Sequence, residues 1–166
     1  DTRAAVAAVR LGERRLLELF ERFGKARMVD AFRQLIERSE LAMGERLRAL
    51  AAPGEYRFTD MIDSDGQGNG PIRLRYKLTV GDNHISLDCS DSDDQTPGPV
   101  NFLMAPQVPS TVFGLYLLGG DPANLLNDGA VRVIDEVILR PGSILQPKFP
   151  APLGLRGVTL MRNVAA

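Results

Sequence analysis

Side chains able to hold a metal ion or move a proton gather at two places in this sequence. The first, Asp63-Ser-Asp65-Gly-Gln67-Gly68-Asn69, opens like a calcium loop, with acids at the first and third positions and glycine at the sixth. Its twelfth position is Leu74 instead of the bidentate Glu that calcium geometry requires, and strand-like sequence flanks it where helices are needed. It therefore reads as a tight acidic hairpin loop, with a looser cation site left open. At the second, Asp88, Asp91, Asp93 and Asp94 surround Cys89 and Ser90. Clustered carboxylates can bind a hard cation or serve as acid and base, but at a strand end they read as a solvated turn with Asx-type hydrogen bonds. Asp63, Asp65, Asp88 and Asp91 are thus the candidates for a cation or a polar interface, and no residue is assigned a catalytic role.

Other chemistry is poorly supplied. Cys89 and His84 are the only thiol and imidazole, and on a regular strand their separation puts them on opposite faces, more than ~15 Å apart. They read as a buried cysteine and a hairpin histidine. The string Gly66-Gln-Gly68-Asn-Gly70 lacks the Lys and Ser/Thr of a phosphate cradle and opens a strand instead of a helix. Tyr56, Phe58 and Tyr76 beside Arg57, Arg73 and Arg75 could suggest base stacking. With ten aromatics in the chain and no RNP-like pattern, they read as strand packing.

The elements that must position these groups follow from periodicity. Val6, Val9, Leu16, Leu17, Phe20 and Phe23 predict a helix over 3–23 closed by Gly24, and Val29, Phe32, Leu35, Ile36, Met43, Leu47 and Leu50 predict a second over 26–50, returning antiparallel. Their apolar stripes need a covering surface, from a sheet in this chain or from another subunit. After Gly54 the period becomes two, predicting antiparallel strands through Tyr56, Phe58 and Ile62, then Ile72 to Val80, then Ile85 and Leu87, with a Gly81-Asp82-Asn83 turn and a wet face carrying Arg73, Arg75 and Lys77. Ser110 is read as the N-cap of a short helix through Leu118 closed by Gly119-Gly120, and 131–139 as a last strand. Pro141, Pro147, Pro150 and Pro152 then favour an extended path, with a type II or similar turn at Pro141-Gly142-Ser143. The expected fold is α+β: an N-terminal antiparallel helical hairpin (1–52), then a mainly antiparallel sheet with a short additional helix (53–166), forming one module.

With 166 residues, 44% hydrophobic and 25% charged, the chain has the composition of an ordinary folded domain. Its 20 Lys and Arg against 21 Asp and Glu favour neither nucleic acid nor an anionic membrane. No apolar run approaches the ~20 residues of a bilayer span, and a single cysteine excludes an internal disulfide, so a reducing cytoplasm is the simplest location. The chain opens on Asp1 and runs directly into helical pattern, which fits a fragment of a longer polypeptide.

Three groups of residues together resemble the hydantoinase B/oxoprolinase family, the B subunits of ATP-dependent hydantoinases, oxoprolinases and ketone carboxylases. They are Arg10-Leu-Gly12 in the opening helix, the Asp88 strand end followed by Gly98-Pro99-Val100-Asn101, and Pro141-Gly-Ser143 with Gln146-Pro147 and Pro150-Ala151. Cys89, where phenylalanine is common, and Asp91, where glycine is expected, depart from the pattern. The resemblance implies a division of labour. An A-type partner takes up ATP with Mg and activates the substrate, and the B subunit completes hydrolysis or carboxylation at a divalent metal whose histidine and aspartate ligands precede this window. It further implies that this chain contributes scaffold and subunit contacts, carries no cofactor, is silent alone, and forms a hetero-oligomer with the A-type subunit and the rest of the B subunit. The alternatives are a ketone carboxylase subunit of the same family and a non-enzymatic module that grips a protein partner. The substrate is left open among hydantoin, oxoproline, other lactams and ketones.

Overall fold

The computed structural model describes residues 2–82, 84–118 and 127–165. Gly119-Gly120, expected to close a helix, and Asn83 of the expected hairpin turn lie outside the described residues. The chain separates into two compact units, 1–38 and 39–166.

The first unit holds helix α1 (Thr2–Phe23) and the first half of α2 (Lys25–Leu50). Between them Gly24 takes φ +85°, the left-handed conformation that a Cβ would penalise. Polar faces are laced by pairs at helical spacing, Arg15 with Glu18 at 2.9 Å and Arg33 with Asp30 and Glu37 at 2.5 and 2.8 Å. The apolar stripe is uncovered within the unit: no residue of α1 is buried, and Val6, Val9, Leu17 and Val29 are exposed.

In the second unit the rest of α2 buries Ser39, Met43 and Leu47, one helical face at intervals of four. Four strands follow in the order β1 (Gly54–Ile62), β2 (Ile72–Val80), β3 (Ile85–Asp88) and β4 (Glu136–Ile138). The first two pairings are antiparallel and the last is parallel, so the sheet is mainly antiparallel as expected. Alternation sorts the faces. Ile72, Leu74, Val80, Ile85 and Leu87 enter the core, while Arg73, Arg75 and Lys77 line the wetter face, where Lys77 meets its register partner Asp88 at 3.0 Å.

The second half departs from expectation in two ways. Helix α3 (Gln107–Leu118) starts three residues before Ser110, because Pro109 is tolerated in a first turn whose N–H groups lack helical partners. Ser110 is therefore a buried interior residue and not the cap. The strand expected over 131–139 is a 3₁₀ turn (Ala130–Arg132) followed by only Glu136–Ile138 in β4. Ala130, Val133 and Ile134 are buried at helical spacing, a period that a Val- and Ile-rich run conceals. Past the last proline, where the sequence reading assigns no element, helix α4 (Arg156–Ala165) forms.

The type II turn is present: Gly142 has φ +90°, and Ser143 N–H donates to the Arg140 carbonyl at 3.0 Å. It admits Ser143, Ile144 and Leu145, all wholly buried, into the core. There Ile144 N–H donates to the Asp93 carbonyl, and Phe102 and Met104 N–H groups donate to the carbonyls of Ile144 and Leu145.

Leu74→Ala, at a wholly buried position, is expected to cost about 2–5 kcal/mol. Leu17→Ala, on the exposed face of α1, is expected to cost less than about 0.5 kcal/mol. Urea denaturation of both variants checks this, and equal losses would contradict the exposure of the α1 stripe.

Candidate functional site

The β1–β2 loop folds inward around one carboxylate. Asp65 is 1% exposed. Its Oδ1 accepts from the N–H groups of Gln67 (2.8 Å) and Asn69 (3.0 Å). Its Oδ2 accepts from Asn69 Nδ2 (2.8 Å), Gly98 N–H (3.0 Å) and the Thr96 hydroxyl. The Thr96 hydroxyl above all, against burial that pushes the other way, joins the Gln67 and Asn69 donors to hold this carboxyl well below the usual range. A Cβ at Gly98 would collide with the Asp65 side chain, so the close approach requires glycine.

The loop that carries Thr96 and Gly98 reaches further. Asn101, wholly buried, accepts from Thr96 N–H at 2.9 Å and donates to the carbonyls of Thr96, Gly98 and Pro152 at 2.8–3.0 Å. Leu155 N–H donates to the Pro99 carbonyl, and Thr159 Oγ1 of α4 to the Val100 carbonyl. The acidic turn after β3 is held from two sides. Arg75 Nη1 reaches Asp93 (2.8 Å) and the Asp91 carbonyl (2.7 Å), and Arg140 binds the carbonyls of Ser90 and Ser92 and the Asp94 carboxylate.

The four candidates thus occupy different settings. Asp63 is exposed, Asp65 is enclosed by donors, Asp88 pairs with Lys77 and caps Ser90 N–H, and Asp91 is exposed with its carbonyl held by Arg75. Burial pushes the Asp88 carboxyl up, but Ser90 and Lys77 outweigh it and hold it low; Asp93 is held low in the same way by Arg73 and Arg75. Among the described residues no three His, Cys, Asp or Glu side chains converge closely enough to hold a metal ion. Cys89 is wholly buried, and burial together with the Asp88 charge pushes its thiol up to about 12, an inert thiol.

Sequence reasoning does not single out Thr96 or Arg140, and it finds Arg75 only as a residue of the wet strand face. Asn101 is visible only within Gly98-Pro99-Val100-Asn101. The Asp65-Gly-Gln-Gly-Asn69 spacing carries the Asx-turn signal without revealing what encloses the acid.

One concavity is apolar. Tyr56, Phe58, Tyr76, Leu78, Met104 and Val108 line a cavity of about 170 Å³ opening beside β1, with Arg57 and Asn163 among its polar groups. Tyr76 Oη donates to Asn163 Oδ1 at 2.5 Å, and burial pushes its hydroxyl pKa up.

These features describe an α+β module organised around a buried polar hub. The chain belongs to the hydantoinase B/oxoprolinase family, whose sequence profile matches residues 1–166. It is 28% identical over 170 residues to a protein of Pseudomonas sp. provisionally named as the B subunit of a D-/L-hydantoinase, covering 92% of this chain and 27% of that one. It is 26% identical over 157 residues to the beta subunit of caprolactamase from Pseudomonas jessenii, covering 92% and 26%. The crystal structure of ATP-dependent caprolactamase from Pseudomonas jessenii matches with a TM-score of 0.79 over 99% of this chain and 28% of that one; at 23% identity it establishes the fold. The chain spans little more than a quarter of the length of these relatives.

The hub predicts an acid-sensitive fold. Because the folded Asp65 carboxyl is held low, its stabilisation is complete above the unfolded pKa near ~4 and is lost as pH falls toward the folded value. Asp65→Asn, which sets an amide against the donors of Gly98 and Gln67, should lower the Tm by several °C at pH 7 and flatten the acid limb, leaving the share of Asp88 and Asp93. Thermal melts between pH 7 and pH 3 measure this, and an unchanged acid limb would refute it. Gly98→Ala should match the Asp65→Asn loss at pH 7.

Proposed function

We propose that this chain is the scaffold and subunit-contact portion of a hydantoinase B/oxoprolinase-type subunit of an ATP-dependent cyclic amide hydrolase. The observation that carries the reading is the family match along all of residues 1–166. The names of the relatives favour a cyclic amide as substrate and hydrolysis over carboxylation, since one is a caprolactamase subunit and another is named for a hydantoinase. The settings of the acids support a scaffold role, because Asp65, Asp88, Asp93 and Asp94 hold loops and strands in place.

Among the described residues no three His, Cys, Asp or Glu side chains are grouped to hold a metal ion. In the proposed complex the metal belongs to another part of the B-type subunit, and ATP with Mg to an A-type partner. The same proposal places the complex in the cytoplasm; no helix among the described residues is long and apolar enough to cross a membrane.

Metal content and ATP-dependent hydrolysis of a lactam or hydantoin are to be measured for this chain alone and for the longer B-type subunit mixed with its A-type partner. Turnover and stoichiometric metal are expected only in the second sample. Metal-dependent turnover by this chain alone would overturn the scaffold reading.

A further inference from the structure

Strand β1 ends the sheet, and the direction of its unused backbone groups can be worked out. The backbone N–H and carbonyl groups of Arg73 bond to Asp93, and those of Arg75 to the Ser92 hydroxyl, on the side away from β1. By the alternation of an antiparallel ladder, Ile72, Leu74, Tyr76 and Leu78 bond toward β1, to their register partners Ile62, Asp60, Phe58 and Tyr56. Glu55, Arg57, Thr59 and Met61 therefore point their backbone groups outward. Met61 agrees, since its N–H donates to the Asp60 carboxylate at 2.8 Å.

This edge lacks several of the devices that isolate an exposed strand, although it carries the charges Glu55, Arg57 and Asp60, the last meeting Arg162 of α4 at 3.6 Å. β1 runs nine residues in unbroken register, without proline, lysine or bulge, and Glu55 and Arg57 are paired with each other at 2.6 Å. The opposite edge, β4, is only three residues long. Beside β1 opens the apolar cavity, with Tyr56 and Phe58 42% and 48% exposed. Its volume of about 170 Å³ is close to that of a cavity known to take a benzene-sized group, about 150 Å³. A backbone edge beside a side-chain pocket is the arrangement used to capture an added strand: main-chain bonds hold it, and the pocket selects a residue.

We propose that the β1 edge is extended by a strand from elsewhere in the B-type subunit, which places one aromatic or branched apolar side chain in the pocket beneath Tyr56 and Phe58. The inference rests on the proposed function, and the occupant follows from length: the relatives continue over nearly three quarters of their sequence outside the part this chain matches.

Hydrogen exchange tests it. The Glu55, Arg57 and Thr59 amides are compared in this chain alone and in the longer B-type subunit, where exchange at least tenfold slower is expected. Thr59→Pro in the longer subunit removes one outward donor at an edge that tolerates proline. It should restore fast exchange at Glu55 and Arg57 while Tyr76 and Leu78 stay protected, which separates loss of the added strand from unfolding. Fast exchange at the three amides in both samples would overturn the proposal. So would protection in this chain alone that rises with its concentration, which would make a second copy the occupant. ATP-dependent hydrolysis is measured on the same subunit with its A-type partner. Protection without hydrolysis removes the functional reading and keeps the edge; hydrolysis without protection does the reverse.

Discussion

A carboxylate withdrawn from water is tolerated only where fixed donors replace its hydration. Asp65 meets that condition with five donors drawn from its own loop and from residues 96–98. Both segments around it supply backbone N–H groups, so the anion fixes main chain and not only side chains. The β1–β2 connection is thereby tied to a loop about thirty positions away in sequence. Removing the charge would leave several buried donors without an acceptor, so the packing of both segments depends on this residue.

From residues 96–101 the network spreads outward. Asn101 and the carbonyls of Pro99 and Val100 fasten the chain around Pro152, Leu155 and Thr159, and so set where α4 begins. α4 then presents Asn163 to the Tyr76 hydroxyl on β2, closing a circuit back to the sheet. On the other side, Arg140 and the turn at Gly142 bring Ser143 to Leu145 into the core, where they serve as backbone partners for Phe102 and Met104. Proline and glycine supply the bends, and buried polar groups decide where each bent segment docks.

The helices and the antiparallel strands were legible because their apolar residues repeat locally, as in the four-residue spacing of Met43 and Leu47 within α2 and in the alternation from Ile72 to Val80. What escaped were elements whose signal is not local. Val131 to Ile134 carries β-branched residues that conceal a helical turn, and Pro109 hides the start of α3 because a first turn accommodates it. The hub was half legible. Its acid stands out in Asp63-Ser-Asp65, but its donors Thr96 and Gly98 lie across a long stretch of chain, and spacing within a loop cannot reveal a partner that only tertiary folding brings near. The same limit made Asp63 and Asp65 look equivalent, although one is exposed and the other enclosed.

The two units resolve their apolar surface differently. In 39–166, Met43, Leu74, Ile144 and Leu145 close a core. In 1–38, Val6, Val9, Leu17 and Val29 stand exposed on helices whose polar faces carry ion pairs at helical spacing. Conformational entropy opposes ordering, and helix propensity with exposed ion pairs recovers only a few tenths of a kcal/mol at each pair. Long amphipathic helices with an uncovered stripe therefore gain most of their stability from whatever surface that stripe meets. The β1 edge has the same character in a sheet: its inner bonds are made to β2, and of its outward groups Met61 N–H is taken by Asp60 while Glu55, Arg57 and Thr59 face outward. Both features place the remaining stabilisation at surfaces available to other polypeptide, consistent with a module whose relatives carry it as about a quarter of their length.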